Sequence, residues 1–255
     1  MDIIKVENTS YAKYEEVLLR RDNLRKEAEQ YQLDFIKTFG DLITESFQLK
    51  IECIKKKKMI TFCQRQMNQG KDISSAALTA YIEKEMASYQ KELDEMLRDV
   101  QIARSAGTVT DAELRKIKKI YYALVKLIHP DMHPELSSDE TLKGYWNRIV
   151  IAYTHNDLDE LQALDSLVRM YLTERALGTD CKHEIENLEE KIEKVEHDID
   201  QIVSTNPYLY RLLLADPDEI EEKKHEYRDE IDAYTKYSAE LDEVLSAFEI
   251  KEMFS

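Results

Sequence analysis

The chain of 255 residues contains only 5 glycines and 4 prolines, and its first 129 residues contain no proline at all. Sheet folds need many turns, and turns depend on glycine and proline, so this scarcity excludes an ordinary β protein. The hydrophobic content is 43% and the charged content 35%, against usual values of about 45–50% and about 25%. Such a balance favours elongated helices with much exposed surface. We therefore predict an all-α protein.

Cysteine is scarce, and long apolar runs are absent. Cys53, Cys63 and Cys181 form no CxxC pair, which disfavours a disulfide framework or a structural zinc site and suits a reducing compartment. The amino-terminal residues lack the basic start and apolar run of a signal peptide. No window approaches the roughly 18 apolar residues that a membrane span needs. These absences predict a cytoplasmic protein with no membrane segment.

The net charge is −16 and is unevenly distributed. Residues 1–110 carry 18 acidic and 18 basic side chains, residues 111–156 carry a net charge of +1, and residues 181–255 carry −13. Because phosphate contacts require a basic surface, this balance disfavours nucleic-acid binding. The run Lys55–Lys58 is the exception. We interpret it as a solvated helix face, with contact to an anionic partner as the alternative.

The amino-terminal part is predicted to be helical and has two long segments. One segment runs from about Ser10 to Asn68, with Thr9 or Ser10 as its cap and a weak point at Gly40. The other runs from about Ile73 to Ser105 and is ended by Gly107.

The central part contains an amphipathic helix that begins at a capping box formed by Thr110 and Glu113. Its apolar residues recur at helical spacing and are Ile117, Tyr121, Leu124 and Ile128. About 200° round the same helix lies a basic face, made by Arg115, Lys119, Tyr122 and Lys126. The two faces predict one side that is buried and one that is free to meet a partner.

A proline ends this helix at a short turn. Pro130 disfavours helical backbone at His129 and cannot donate to the helical ladder. We therefore expect His129 and Asp131 to be exposed on a stiff turn. A metal pair of His129 with His133 is disfavoured, because the prolines that follow each of them prevent one continuous helix.

The next helix can be capped by Ser137 together with Glu140. Its inward stripe is formed by Leu142, Trp146, Ile149 and Tyr153. Another helix is predicted from Leu158 to about Leu177, stopped near Gly178.

The carboxy-terminal part has a coiled-coil pattern. Its apolar residues are spaced three and four apart, and they are Ile185, Leu188, Ile192, Val195, Ile199 and Ile202. Asp216-Pro217 predicts a new helix start, and residues 208–214 read as a short helix in preference to a client-binding patch. The pattern predicts an antiparallel coiled-coil hairpin, and it also allows a homo-oligomer. We divide the chain into residues 1–72, 73–177 (with a core at 110–156) and 178–255.

The helix with a basic face, the turn His129-Pro130-Asp131 and the second helix together resemble a J-domain of the DnaJ family. The similarity extends to apolar and basic positions of the first helix and to an aromatic-x-x-Ile-x-x-Ala-Tyr pattern in the second, and these residues are Ile117, Lys118, Lys119, Tyr121, Leu124, Trp146, Ile149, Ala152 and Tyr153. The family's Tyr-x-x-Leu-Gly signature is missing before Gly107, and Met132-His133 replaces the common Arg/Lys-Asn. The chain therefore resembles the divergent class that shares only the J-domain, here flanked by coiled-coil helices.

The resemblance implies a co-chaperone that docks on a DnaK-type chaperone ATPase and accelerates ATP hydrolysis there. The partner-binding residues that it implies are His129, Pro130, Asp131, Arg115, Lys116, Lys118, Lys119, Tyr122 and Lys126. The chemistry belongs to the partner, so the chain itself is expected to be no enzyme and to need no metal or cofactor. Coiled-coil arms would select an unidentified client, and the end of the 73–105 helix is expected to cover the helical pair. The alternative is a coiled-coil scaffold whose J-like module is not coupled to ATP hydrolysis.

Overall fold

A computed structural model describes residues 2–105, 109–136, 138–175 and 187–248, with side chains from residue 11 onward. All regular structure in these ranges is helical, which confirms the predicted all-α class. The helices are α1 (Asp2–Asn68), α2 (Ser75–Ser105), α3 (Asp111–Ile128), α4 (Glu140–Thr154), α5 (Leu158–Glu174), α6 (Leu188–Ser204), α7 (Tyr210–Ala215) and α8 (Pro217–Ser246), with a 3-10 turn at Pro134–Leu136. Within the same ranges, no helix combines the length and the apolar character that crossing a membrane requires.

Several predicted helix ends differ from the observed ones. α1 begins at Asp2, so Thr9 and Ser10 lie inside the helix and do not cap it. Gly40 also lies inside α1, where it allows a close approach to α2: a Cβ atom there would meet Val100 Cγ2 at 2.8 Å. Asp139 provides the N-cap oxygen of α4. The predicted roles of Gly107, Ser137, Gly178, Cys181 and Ile185 lie outside the described residues.

The chain folds into two compact units that interleave along the sequence. The first comprises Met1–Gln32 and Gly107–Tyr210, and the second comprises Leu33–Ala106 and Arg211–Ser255. α1 supplies residues to both. The division therefore groups the helices in another way than the predicted segments 1–72, 73–177 and 178–255.

The core of the first unit is built around the pair α3 and α4. α5 packs against both members of this pair, and the amino-terminal part of α1 adds Tyr14, Val17 and Leu18 to the same apolar cluster. The expected cover, the end of α2, is wrong: α2 belongs to the second unit, where its stripe meets apolar side chains of α1. α5 and the start of α1 cover the pair instead, because each brings an apolar stripe of matching spacing.

The apolar stripe of α6 is buried in the core of the first unit. Ile192, Val195 and Ile199 join the cluster that contains Tyr14 and Leu18 of α1. Lys13 of α1 also pairs with Glu196 at 3.3 Å, next to this stripe. The heptad pattern correctly marked the buried side of α6, but it did not indicate α1 as a packing partner.

The second unit combines the remainder of α1 with α2 and α8. Its buried apolar groups include Met59, Phe62 and Cys63 of α1 with Leu78 and Ile82 of α2, while Cys53, Ile60 and Leu241 form a smaller cluster with α8. As predicted, α8 begins at Pro217 with Asp216 as N-cap.

The lysine run at 55–58 is largely engaged inside this second unit. Lys56 Nζ lies 2.8 Å from Glu52 and 2.7 Å from Asp242, and Lys58 Nζ lies 2.6 Å from Glu85. The Lys57 ammonium stands 5.7 Å from the centre of the Tyr237 ring. These contacts favour a role in joining helices over a role in binding an outside anion.

Candidate functional site

The site residues are positioned by the two ends of α3. At its start Thr110 Oγ1 accepts from the Glu113 N–H at 3.3 Å, and Glu113 Oε2 accepts from the Thr110 N–H at 2.9 Å. The predicted capping box is therefore confirmed. At its end His129 takes an extended conformation with φ −60° and ψ 126°, as a residue before proline favours.

The turn His129-Pro130-Asp131 is held by its own hydrogen bonds. The Asp131 N–H donates to His129 Nδ1 at 3.0 Å. The His129 carbonyl accepts from the N–H groups of Met132 and His133 at 3.0 and 2.8 Å. Because Nδ1 accepts, a neutral His129 carries its proton on Nε2. The imidazole thus stiffens the turn from within.

His129 is buried, and the expectation that it would be exposed is wrong. Only 3% of the residue is accessible, because its ring stands edge-on to Trp146 with 4.7 Å between centroids. Burial lowers the pKa of His129 to about 4, so the imidazole is neutral at pH 7. Asp131, in contrast, keeps 49% of its side chain exposed. The accessible polar group of the turn is therefore the Asp131 carboxylate and not the imidazole.

His133 closes the end of α3 and does not approach a metal site. Its Nε2–H donates to the Lys126 carbonyl at 2.8 Å, which satisfies one of the carbonyls left free at a helix end. The other ring nitrogen lies 3.2 Å from Glu135 Oε1. Across the part of the chain that the structure describes, no three His, Cys, Asp or Glu side chains group as a metal site would require.

A buried polar chain links the turn to α1. Tyr121 OH donates to Asp22 Oδ2 at 2.7 Å, and the other Asp22 oxygen accepts from Arg21 Nε and Nη2 at 3.0 and 2.9 Å. The remaining Arg21 nitrogen, Nη1, lies 3.8 Å from Asp131. Charges on buried groups are stabilised by such pairing. The position of the Asp131 carboxylate is thereby coupled to residues far away in sequence.

A second polar chain runs through Asn23. Tyr153 OH donates to Asn23 Oδ1, and Asn23 Nδ2 donates to Tyr122 OH, both at 2.6 Å. The rings of Tyr121 and Tyr153 stack with centroids 3.8 Å apart. Burial raises the pKa of both phenols above its ordinary value, so both remain donors. The network fixes α3 and α4 against α1.

The predicted partner-binding residues of α3 divide into two parts. Four of them are exposed and form what we call the basic ridge: Arg115, Lys116, Lys118 and Lys119. Tyr122 is half-buried beside Asn23. Lys126 is exposed but forms an ion pair with Glu15 of α1 at 2.8 Å. The nine predicted partner-binding residues thus lie on α3 and its turn, and the described side chains of α1 form a hydrogen bond or ion pair with three of them.

A cavity of about 660 Å³ lies beside the turn. His129, Asp131 and Trp146 line one part of it, and Arg25 of α1 and Pro207, beyond the end of α6, line another. The turn therefore faces a recess in the first unit and not a flat surface.

The residues of α1 that meet the site were not predicted, although one sequence signal points to them. Tyr14, Leu18 and Asp22 follow one another at intervals of four, so a carboxylate continues an apolar stripe. A charge at such a position needs a buried partner, and Tyr121 and Arg21 provide it. Nothing local identified Tyr121 as a partner, because it lies 99 positions away.

Comparison of the chain with protein-family models, with curated proteins and with solved structures returned no match.

Proposed function

We propose that this chain is a J-domain co-chaperone that binds a DnaK-type chaperone ATPase and accelerates its ATP hydrolysis. The observation that carries the proposal is the turn itself. His129 braces the backbone N–H of Asp131, and the Asp131 carboxylate stays half exposed at the end of a helix that bears the basic ridge.

Two physical features support this role. The basic ridge, Arg115, Lys116, Lys118 and Lys119, can steer the chain towards an acidic partner surface. The hydrogen-bonded turn then presents the Asp131 carboxylate with little entropy left to lose on binding. Hydrolysis takes place in the partner, so no group of this chain acts on ATP. The α1–α2–α8 unit would serve to select a client or a location.

A single-turnover ATPase assay with a purified DnaK-type chaperone tests the proposal. The wild-type chain is expected to raise the hydrolysis rate, and Asp131→Asn is expected to abolish the rise while leaving the fold intact, because that side chain is half exposed. Asp159→Asn, an exposed acidic residue on α5, is the matched control and should retain the stimulation.

His129→Gln should also abolish the stimulation, but it removes the contact with Trp146 as well. Its thermal unfolding must therefore be measured beside its activity. Stimulation that is absent in the wild type, or unaffected by Asp131→Asn, would overturn the proposal.

A second candidate is a scaffold whose J-like module binds the ATPase without driving hydrolysis. The proposed docking face consists of the nine partner-binding residues on α3 and its turn. The contacts from α1 to Tyr122, Lys126 and Asp131 already occupy part of this face, and they favour the second candidate. Direct binding to the ATPase, measured by biolayer interferometry, with no change in the hydrolysis rate, would identify this function.

A further inference from the structure

Three side chains of α1 contact three residues of the proposed docking face. Glu15 pairs with Lys126 at 2.8 Å, and Asn23 donates to Tyr122 OH at 2.6 Å. Arg21 approaches Asp131 at 3.8 Å. The groups that α1 contributes are a carboxylate, an amide donor and a guanidinium. A docking partner would have to supply groups of the same kinds to bind the same three residues.

The contacts belong to the folded unit, because α1 is anchored beside them. Tyr14 directly precedes Glu15 in the sequence, and Leu18 lies between Glu15 and Arg21. Both side chains are buried in the core, with 2% of Tyr14 and 0% of Leu18 exposed. Asp22 adds the buried hydrogen bond to Tyr121. Contacts that the core positions in this way are present before any partner arrives, so a partner meets these groups already engaged.

We propose that α1 is a built-in competitor for the chaperone ATPase, with Glu15 and Arg21 setting the strength of docking. The inference rests on the proposed function. Glu15 neutralises Lys126, so an acidic group of the partner has to displace it. The Arg21 guanidinium lies 3.8 Å from the Asp131 carboxylate, so a cationic group of the partner has to compete with it. First contact is left to the basic ridge, whose four residues are exposed.

The expected size follows from the exposure of the Glu15–Lys126 pair. The Lys126 side chain is 60% exposed and that of Glu15 is 21% exposed, and surface pairs of this kind change an equilibrium by about two- to fivefold. Removing the Glu15 charge should therefore tighten docking by about that factor and should leave the maximal hydrolysis rate unchanged.

The test compares Glu15→Gln with Glu16→Gln in the full-length chain. Both remove one acidic charge from the same turn of α1, but Glu16 is exposed. The concentration of the chain that gives half-maximal stimulation should fall about two- to fivefold for Glu15→Gln and stay close to wild type for Glu16→Gln. A second measurement, the acylation rate of Lys126 by an amine-reactive ester, should rise for Glu15→Gln only.

A double variant tests the other contact. Arg21→Met with Asp22→Asn removes both members of the buried pair, so no lone charge is left in the core. It should also lower the half-maximal concentration, because Asp131 loses its internal cation, and circular dichroism checks that it folds.

The outcomes separate the two proposals. Stimulation by the wild type with equal shifts for Glu15→Gln and Glu16→Gln, or with no shift for either, overturns the competitor role and leaves the co-chaperone role standing. Absence of stimulation for the wild type and for every variant overturns the co-chaperone role, and the competitor role with it.

Discussion

The two compact units handle polar groups in different ways. Among the described residues, the first unit buries a carboxylate, Asp22, and an imidazole, His129, whereas the buried polar side chains of the second are the hydroxyls of Thr44, Ser46 and Ser238. In the second unit the carboxylates that pair with lysines stay at least partly exposed, as Glu85 does beside Lys58 and Asp242 does beside Lys56. The first unit should therefore respond strongly to single polar substitutions and to pH, and the second only weakly. Trp146 is the one tryptophan of the sequence, so its fluorescence reports on the first unit.

The largest effect is expected for Asp22→Ala. It leaves Arg21 without its close partner and Tyr121 OH without an acceptor, and breaking one side of a buried pair costs about 3–5 kcal/mol. Denaturant unfolding followed by Trp146 fluorescence measures the loss. Asp242→Ala in the second unit removes an exposed partner of Lys56 and should cost less than about 1 kcal/mol by circular dichroism. Equal losses would contradict the contrast between the units.

The next largest effect is a dependence of the stability of the first unit on pH, which we expect from His129. Its folded-state pKa is about 4, below the value of about 6.5 for a free histidine. The unfolded chain therefore takes up the proton first, and the first unit should lose stability as pH falls from about 6.5 to about 4, by roughly 3 kcal/mol.

Fluorescence-monitored unfolding at pH 7 and pH 4.5 checks this, with His129→Gln expected to lose most of the pH dependence. His225→Gln, at an exposed position of α8, should behave as wild type. A wild-type stability that is flat over this range would show that burial of His129 is not what governs it.

Lys26→Met in the first unit is expected to have a smaller effect, an increase in stability. Among the described residues, Lys26 Nζ is buried without a hydrogen-bond partner, and burial lowers the pKa of this amine to about 8. The folded state thus disfavours the charged form, and wild-type stability should rise as pH increases from about 8 to about 10.5.

The substitution should stabilise the unit at pH 7 by about 1 kcal/mol, because the loss of the contact with the Tyr153 ring offsets part of the gain. The substitution should also remove the dependence of stability on pH above about pH 8. Lys57→Met in the second unit is the control, and its effect should stay within about 0.5 kcal/mol.

The smallest effects concern two helical glycines. Among the described residues, a Cβ atom at Gly144 of α4 meets nothing within 4 Å beyond its own helical neighbours, so Gly144→Ala should stabilise the first unit by about 0.5–1 kcal/mol, the usual preference for alanine. Gly40→Ala in α1 meets Val100 Cγ2 at 2.8 Å, and overpacking of about 1–3 kcal/mol should outweigh that preference. Thermal unfolding shows whether each variant is more or less stable than the wild type. Stabilisation by both substitutions would refute the close approach of α1 and α2.

Sequence reasoning was accurate where structure is local. The capping box of Thr110 and Glu113, the apolar face of α3 and the helix start at Asp216-Pro217 all depend on residues within one or two turns, and all three are present. It failed where the partner is distant. The exposure of His129 was predicted from Pro130 alone, whereas its burial depends on Trp146, seventeen positions away on the next helix.

The sequence by itself determined the helical class, the apolar sides of α3, α4 and α6 and the turn at His129-Pro130-Asp131. Spacing of three and four shows which side of a helix is buried, but it does not show which helix lies against that side, since amphipathic stripes of equal spacing are interchangeable. The tertiary structure alone decided that α1 and α5 cover the pair of α3 and α4, in place of α2. It also decided that Glu15, Arg21 and Asn23 contact Lys126, Asp131 and Tyr122, because those contacts join residues about a hundred positions apart.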